Sequence, residues 1–272
     1  MTGRGVSYGA ISVLNAIPCG IGSTIGVDLR TEAVFEPTDG PIEVKLVDRP
    51  KMSDRLVRYC VRETLAAIAE NPAGYDLMVT SQIPPSRGLK SSSSACNAVI
   101  SAVLDHYGVD MDPVDVVRLG VECAIHCKVT ITGAFDDACG CHLGGLVVTD
   151  NFEKKVLSRR EIEKYDVIIC SPEREITKDK VDVSAYRALA EKYLQLAHSA
   201  EADPLGVLIE NGKAVAGIIG MDDSIVKRAM DLGALAGGVS GTGPAVSIVC
   251  EPGTGKAIAE QLGCETILCR VR

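Results

Sequence analysis

One segment constrains the fold more than any other: a strand pattern over 76–82 runs into a loop rich in glycine and serine that opens a helix. The loop reads Pro84-Pro85-Ser86-Arg87-Gly88-Leu89-Lys90 and is followed by four serines. Apolar residues over about 92–107, stopped by Gly108, predict the helix. The start of a helix carries backbone N–H groups without intrahelical acceptors and the positive end of the helix dipole. This segment therefore predicts a phosphate-binding loop in a fold that mixes strands and helices.

Side chains of the same segment agree with an anion site. Lys90 and Arg87 bring cationic donors to the loop, and a serine hydroxyl could ligate Mg²⁺ beside a phosphate. On composition alone, a flexible serine-rich loop with a capped helix explains the segment equally well. Both interpretations stay open at this point.

The charge of the chain limits its partners. The 272 residues are 46% hydrophobic, which is enough for a sizeable core and excludes a disordered chain. A formal charge of −8 provides no basic surface for nucleic acid. We find neither a run of roughly 18 apolar residues for a membrane helix nor a signal peptide. We therefore predict a soluble, cytoplasmic protein with a small-molecule partner and no nucleic-acid or membrane partner, in which an anion site reverses the global charge locally.

Periodicity along the rest of the chain predicts an α+β protein in two parts, 1–152 and 153–272, separated by a charged stretch over 153–164. In the first part, strands are expected over 10–16, 26–36, 42–47 and 145–149, and helices over 53–71, 112–127 and 136–142. In the second part, strands are expected over 166–170, 245–250 and 265–271, and helices over 184–200, 204–219, 222–234 and 254–262.

Three other patterns are set aside. The eleven cysteines include no C-x-x-C pair, and the group at 123, 127, 139 and 141 with His142 matches no zinc signature, so we expect small apolar packing residues in a reducing cell. The glycines over 20–26 precede a strand pattern and not the helix that a dinucleotide fingerprint requires. The stretch 253–256, GTGK, lacks the other residues of a Walker A loop.

Two further segments carry side chains suited to catalysis. Asp136 and Asp137 are adjacent carboxylates, and Glu122 lies on the preceding predicted helix. A carboxylate of the pair could accept a proton from a hydroxyl while Glu122 binds a metal ion, or the pair could only cap a short helix. The glycine-rich stretch 237–244, GGVSGTGP, is either a ligand loop or a tight connection.

Together these features resemble the GHMP kinases, the superfamily of galactokinase, homoserine kinase, mevalonate kinase and phosphomevalonate kinase. Three motifs stand in the family's order: Pro84 with GLKSS from 88, ECAIH from 122, and SGTGP from 240. The start GRGVSYGAISVLNAIPCGIGSTIGVDL and the stretch TGAFDDACGCHLGGLVVTDN are most similar to archaeal shikimate kinases. The resemblance covers essentially the whole chain, with one departure: Lys90 stands where most members have glycine.

The resemblance implies a two-lobed α+β GHMP kinase fold, with a left-handed βαβ unit in the N-terminal lobe and a ferredoxin-like C-terminal lobe. It implies ATP-dependent phosphorylation of shikimate with Mg²⁺. The base is Asp136 or Asp137; counting back from Gly144 favours Asp137, whereas a local match favours Asp136. The other implied site residues are Pro85, Ser86, Arg87, Gly88, Leu89, Lys90, Ser91, Ser92, Ser93 and Ser94 for the nucleotide, Ser92 and Glu122 for the metal, and Arg4, Ser240, Gly241, Thr242 and Gly243 for the substrate.

Three alternatives are weighed against this reading. Homoserine or mevalonate kinase activity would use the same motifs, and a non-catalytic sensor of the same fold would bind ligand without transfer. The motifs' acidic residues argue against the sensor. A serine hydrolase using Ser91–Ser94 is disfavoured because no G-x-S-x-G elbow is present.

Overall fold

A computed structural model describes residues 2–85, 88–130, 133–171 and 181–272. Its strands are β1 (Gly3–Leu14), β2 (Ile21–Thr38), β3 (Glu43–Leu46), β4 (Gly74–Ser81), β5 (Leu146–Asp150), β6 (Lys155–Arg160), β7 (Asp166–Cys170), β8 (Ala236–Val239), β9 (Val246–Cys250) and β10 (Thr266–Arg270). Its helices are α1 (Arg55–Ala67), α2 (Ser91–Tyr107), α3 (Pro113–His126), α4 (Phe135–Leu143), α5 (Val183–Arg187), α6 (Ala190–Ser199), α7 (Pro204–Ile219), α8 (Ser224–Asp231) and α9 (Gly255–Leu262).

The N-terminal lobe is a six-stranded sheet built around the long strand β2. Along one edge β2 pairs with β1, and along the other it pairs with β5 near its start and β4 near its end. The strands β3 and β4 are parallel and are joined through α1, which is the expected βαβ unit. Its left-handed crossover stays an implication of the resemblance.

Helix α2 is the central helix of this lobe and lies directly against β1. A Cβ at Gly5 would approach the carbonyl oxygen of Ala98 to 2.0 Å, so only glycine permits this contact. The apolar face of α2, including Val99, Ile100 and Val103, is fully buried. Such close packing on both sheet and neighbouring helices fixes the N-terminus of α2, where the predicted loop lies.

The C-terminal lobe has the order of a ferredoxin-like fold. Its elements run strand, helices, strand, strand, helix, strand, and the antiparallel sheet has the order β10-β7-β9-β8. This confirms the predicted α+β architecture. Strand β8 falls inside the stretch expected to be only a loop. It is strand there because it pairs antiparallel with β9, and its glycines let α7 pack so closely that a Cβ on Gly212 would lie 2.3 Å from the Cα of Gly238.

The lobes share apolar packing, and the N-terminal sheet continues further along the chain than expected. Strand β6 pairs with β5, so the first sheet extends to Arg160 and not to 152 as predicted. Its alternating exposure and many charges hid this edge strand within a stretch expected to be a crossing. One core cluster contains Ile11 and Leu14 of β1 together with Val207 of α7, which joins the lobes around β1.

Buried polar groups explain one motif that had been set aside. The carboxylate of Asp166 accepts the N–H groups of Gly253 and Gly255, at 2.9 and 3.1 Å, so those donors are already used at the start of α9. The cysteines are mostly packing residues: all except Cys19 and Cys264 are buried, and none forms a disulfide. Among the described helices, none has the length and apolar content needed to traverse a bilayer.

Candidate active site

A cleft of about 290 Å³ opens at the N-terminus of α2, between the two lobes. Residues 88–93 form one wall, and 241–243, which follow β8, form the facing wall. The segment before α4 contributes Thr130 and Ala134, and Asp137 lies at the base. A narrower recess continues from the cleft towards Ser12 and Asn15 at the end of β1. The cleft thus brings together residues from all three predicted motifs. Glu122 of the ECAIH motif is not among them.

The first turn of α2 presents backbone donors to this cleft. Lys90 is the residue before the helix; it adopts a left-handed conformation with φ of 66° and makes no side-chain cap. The first turn contains no acidic side chain, and Ser91, Ser92 and Ser93 line the cleft. The N–H groups of a helix's first turn have no intrahelical acceptor, and the helix dipole adds positive potential. The wall therefore suits a phosphate group, as predicted for this loop.

A buried lysine is the electrostatic centre of the site. The Lys90 ammonium lies 2.8 Å from a carboxylate oxygen of Asp137, and its side chain is only 3% exposed against 16% for Asp137. It also donates to the hydroxyl of Ser12 at 2.7 Å. That hydroxyl accepts the N–H of Gly241 at 3.0 Å. One hydroxyl therefore joins β1, the α2 loop and the loop after β8.

The two glycine-rich loops are held together by Ser240. Its hydroxyl donates to the carbonyl of Gly88 at 3.0 Å and accepts the N–H of Ser12 at 3.1 Å. A Cβ at Gly88 would lie 2.2 Å from the carbonyl oxygen of Ser240, and Gly88 has a φ of 79°. Glycine is required there for both reasons.

The two aspartates have different environments. Asp136 is buried, its N–H and one carboxylate oxygen are bound by the Asn151 amide, and Asn151 in turn accepts from Thr149. Burial, and secondly the charge of Asp137, raises the pKa of Asp136 to about 6. A Cβ on Gly22 would lie 2.4 Å from the second oxygen of Asp136, so this carboxyl is enclosed. Asp137 lines the larger cleft beside the phosphate-binding wall, whereas Asp136 reaches only the narrower recess.

An apolar groove adjoins the outer side of the α2 loop. Its lining includes Ser91 and Ser92 of the loop. The rest is largely hydrocarbon, from Leu46, Met52, Leu56, Val57, Val79 and Ala95. Arg49 lies at its margin and donates to the carbonyl of Ile83. A flat apolar ring could occupy this groove while a linked phosphate reaches the start of α2.

Most of the predicted nucleotide and substrate residues meet in the cleft. Gly88, Leu89, Lys90, Ser91, Ser92 and Ser93 line it, and so do Gly241, Thr242 and Gly243. Ser94 is buried within the helix, Pro85 is not among the residues that line the cleft, and Ser240 is fully buried as the clamp between loops. The predicted Ser86 and Arg87 lie outside the described residues.

Glu122 is not brought to the loop, which corrects its expected role as a metal ligand with Ser92. On α3, Gly120 packs against α2, and Ala124, on the same side of the helix, lines the cleft. Glu122 is offset from both by about 200° around the helix. Its carboxylate is 57% exposed and pairs with Lys154.

Arg4 is also far from the cleft, which corrects its expected contact with the substrate. It lies at the start of β1, eight residues before Ser12, a separation of about 27 Å along a strand. Its N–H donates to Asp105 near the C-terminal end of α2, whereas the cleft lies at the N-terminal end of that helix. Helix α2 runs antiparallel to β1, so Arg4 and Ser12 lie near opposite ends of that helix.

Several residues of the site belong to no recognisable sequence motif. Ser12, Asn15 and Asn151 lie at strand ends that carry no motif, and Thr130 lies between α3 and α4, outside any motif. Asn15 donates to the carbonyl of Gly241 at 3.1 Å, and its own N–H is bound by Asn211 of α7 at 3.0 Å. Only the packing of the two lobes against each other brings these polar groups together.

Comparisons with known proteins identify relatives of this chain. The chain matches the profiles "GHMP kinases N terminal domain" over residues 55–145 and "GHMP kinases C terminal" over 200–267. It is 37% identical to the shikimate kinase of Methanothrix thermoacetophila, over 96% of this chain and 89% of the relative. It is 35% identical to the shikimate kinase of Pyrococcus abyssi, over 92% of each chain.

Solved structures confirm the fold. The Methanococcus jannaschii mevalonate kinase superposes with a TM-score of 0.80, covering 100% of this chain and 98% of that one at 16% identity. A homoserine kinase from Cytophaga hutchinsonii gives a TM-score of 0.78 over 100% and 94% of the two chains, also at 16% identity. Both domain profiles match the chain, and the archaeal relatives align over nearly its full length. The chain therefore belongs to the GHMP kinase family.

Proposed function

We propose that this protein transfers the γ-phosphoryl group of ATP to the 3-hydroxyl of shikimate, giving shikimate 3-phosphate and ADP. The observation that carries this proposal is the single cleft in which the start of α2 faces the Lys90–Asp137 pair. Shikimate is chosen as substrate because the relatives at 34–37% identity are named shikimate kinases.

The nucleotide is proposed to span two adjoining sites. The adenine ring occupies the apolar groove beside Ser91 and Ser92, and the phosphates reach the backbone N–H groups of 91–93. This placement directs the terminal phosphate towards Asp137. Hydroxyls of Thr130 and Thr242, on the facing walls, are available to the substrate's own hydroxyl groups.

Asp137 is proposed as the proton acceptor. As the shikimate oxygen forms its bond to the γ-phosphorus and the bond to ADP breaks, the hydroxyl proton moves to the Asp137 carboxylate. Lys90 stabilises that carboxylate in the resting enzyme and presents its ammonium to the transferring phosphoryl group. Asp136 is not favoured as the base because its oxygens are enclosed by Asn151 and the backbone at Gly22.

The proposal includes Mg²⁺, bound by fewer protein ligands than the resemblance implies because Glu122 lies away from the loop. Mg²⁺ neutralises phosphate charge when bound, and in many kinases it is held by one or two carboxylates together with substrate phosphates. Without Glu122, the described side-chain oxygen donors that line the cleft beside the loop are the hydroxyls of Ser91, Ser92 and Ser93 and the Asp137 carboxylate. These donor types fit Mg²⁺ that arrives with the nucleotide.

The test is an ADP-release assay with shikimate, homoserine and mevalonate offered separately. We expect turnover with shikimate, and turnover only with one of the others would refute the substrate assignment. Asp137→Asn is expected to lower kcat by about 10²–10⁴-fold. The matched Asp136→Asn is expected to keep kcat within about tenfold, and the reverse order of the two variants would refute Asp137 as base.

A further inference from the structure

A second cavity, of about 400 Å³, lies in the C-terminal lobe between α7, α8 and strand β8. Gly212 of α7 and Gly237 and Gly238 of β8 form part of its wall. The volume is in the range of sites that hold small molecules. None of its lining residues belongs to the cleft described above.

The lining is apolar inside and charged at the rim. Hydrocarbon comes from Ile209, Ala216, Val226, Met230, Val239 and Val246, of which Met230 is 39% exposed. Lys213, Lys227, Asp222, Asp223 and Asp231 supply the charges. An occupant therefore needs an apolar body and a polar end.

The uncompensated charges at the rim have opposite signs on the two helices. On α7, Glu210 pairs with both Lys213 and Lys192, so one positive charge is left over. At α8, Lys227 is neutralised by Asp223, whereas Asp222 and Asp231 have no ion-pair partner among the described residues. A ligand with one carboxylate and one ammonium group matches this distribution.

Two short connections link the cavity to the catalytic cleft. Val239 lines the cavity, and the next residue, Ser240, clamps the α2 loop through Gly88. Gly212 lines the cavity, and the preceding residue, Asn211, binds the N–H of Asn15 beside the recess. The Asn211 side-chain oxygen also accepts from Tyr193, so this link is rigid and buried.

We propose that this cavity is a regulatory site for a small zwitterion with a large apolar side chain, of the amino-acid class. Occupancy presses on α7 and β8 and so changes the positions of Asn15 and Ser240 at the cleft. Binding itself is independent of the proposed function, whereas the effect on turnover rests on it.

Isothermal calorimetry with L-leucine and L-phenylalanine tests binding on the full chain. We expect saturable heat with a Kd near about 1 mM or below. The matched probes 4-methylpentanoate and 3-methylbutylamine, which each lack one of the two charges, are expected to bind at least about threefold more weakly. Absence of heat from both amino acids, or equal binding of a singly charged probe, would overturn the proposal.

Three variants place the binding in the cavity. Lys213→Gln is expected to weaken binding by about threefold, while Lys164→Gln, which removes an exposed lysine outside the cavity, leaves it unchanged. Val226→Trp fills the partly open cavity and is expected to abolish binding. Circular dichroism first confirms that each variant is folded; a folded Val226→Trp protein that still binds, or equal losses in both lysine variants, would overturn the site.

Steady-state kinetics with and without a bound amino acid test the regulatory role. With an amino acid bound, we expect the KM for either substrate or kcat to change by about twofold or more in the wild type and not in Val226→Trp. Binding without any kinetic change would overturn the regulatory role. Lack of turnover with shikimate would instead refute only the proposed function, because the calorimetry needs no turnover.

Discussion

The buried carboxyl of Asp136 makes the stability of this protein depend on pH in a defined direction. Its pKa is raised from 3.8 to about 6 in the folded protein, first by burial and then by the Asp137 charge, with the Lys90 charge and the Asn151 hydrogen bond opposing. A folded-state pKa above the unfolded one means that the folded state holds the proton more tightly. This stabilisation is fully present below pH 3.8 and is lost as pH rises towards 6.

The magnitude follows from the size of the pKa difference. A shift of roughly two units corresponds to about 3 kcal/mol of folding free energy, most of it lost between about pH 4 and pH 6. Asp136→Asn removes this titration while keeping an oxygen that can accept from Asn151. The difference in free energy of unfolding, variant minus wild type, is therefore expected to be about 2 kcal/mol larger at pH 7.5 than near pH 4.

Urea unfolding of both proteins at several pH values between about 4 and 7.5 measures this difference. Asp110→Asn, which removes an exposed carboxylate far from the cleft, just beyond the C-terminal end of α2, serves as the control. A wild-type to Asp136→Asn difference that does not change with pH would refute the reasoning that burial and Asp137 raise this pKa.

Three further substitutions test the geometry of the cleft. Gly88→Ala forces a Cβ to within 2.2 Å of the Ser240 carbonyl oxygen at a φ of 79°. We therefore expect kcat/KM to fall more than about tenfold and Tm to drop. Wild-type kinetics would contradict the role of Ser240 as a clamp between the loops. Ser12→Ala leaves Lys90 without its hydroxyl acceptor, a cost of about 1–3 kcal/mol, and we expect kcat to fall about tenfold or more in steady-state assays. Glu122→Gln is expected to leave the Mg²⁺ concentration for half-maximal activity unchanged, and a large increase would restore that residue as a ligand.

The loop and its helix were predictable because their signals are local. Gly88 and the serines after it are read directly from the chain, and the helix that they open ends at Gly108 as expected. The start of the helix expected from 112 rests on a local contact too, since the Asp112 side chain accepts the N–H of Val114 two residues on. The order of motifs also identified the two-lobed fold and the family.

Edge strands and distances could not be read in this way. Strand β6 is exposed on alternate residues and rich in charge, so it resembled a linker until its pairing with β5 was known. Arg4 and Glu122 were placed in the site by analogy of motif, yet a strand's length separates Arg4 from Ser12, and helix periodicity turns Glu122 away. The spacing of residues along the chain shows neither which strands pair nor how far apart side chains on different elements lie.

The sequence by itself determined which chemical groups this protein brings to a phosphate: a helix start without a cap, a lysine in the loop and a pair of aspartates. The tertiary structure decided what each group does. Folding buries Asp136 against Asn151 and leaves Asp137 in the cleft beside Lys90, although the two residues are neighbours in the chain. The reason is that successive side chains on a helix point about 100° apart, so one faces the core and the next the cleft. Ser12 joined the site only because β1 ends where two loops from distant parts of the chain converge.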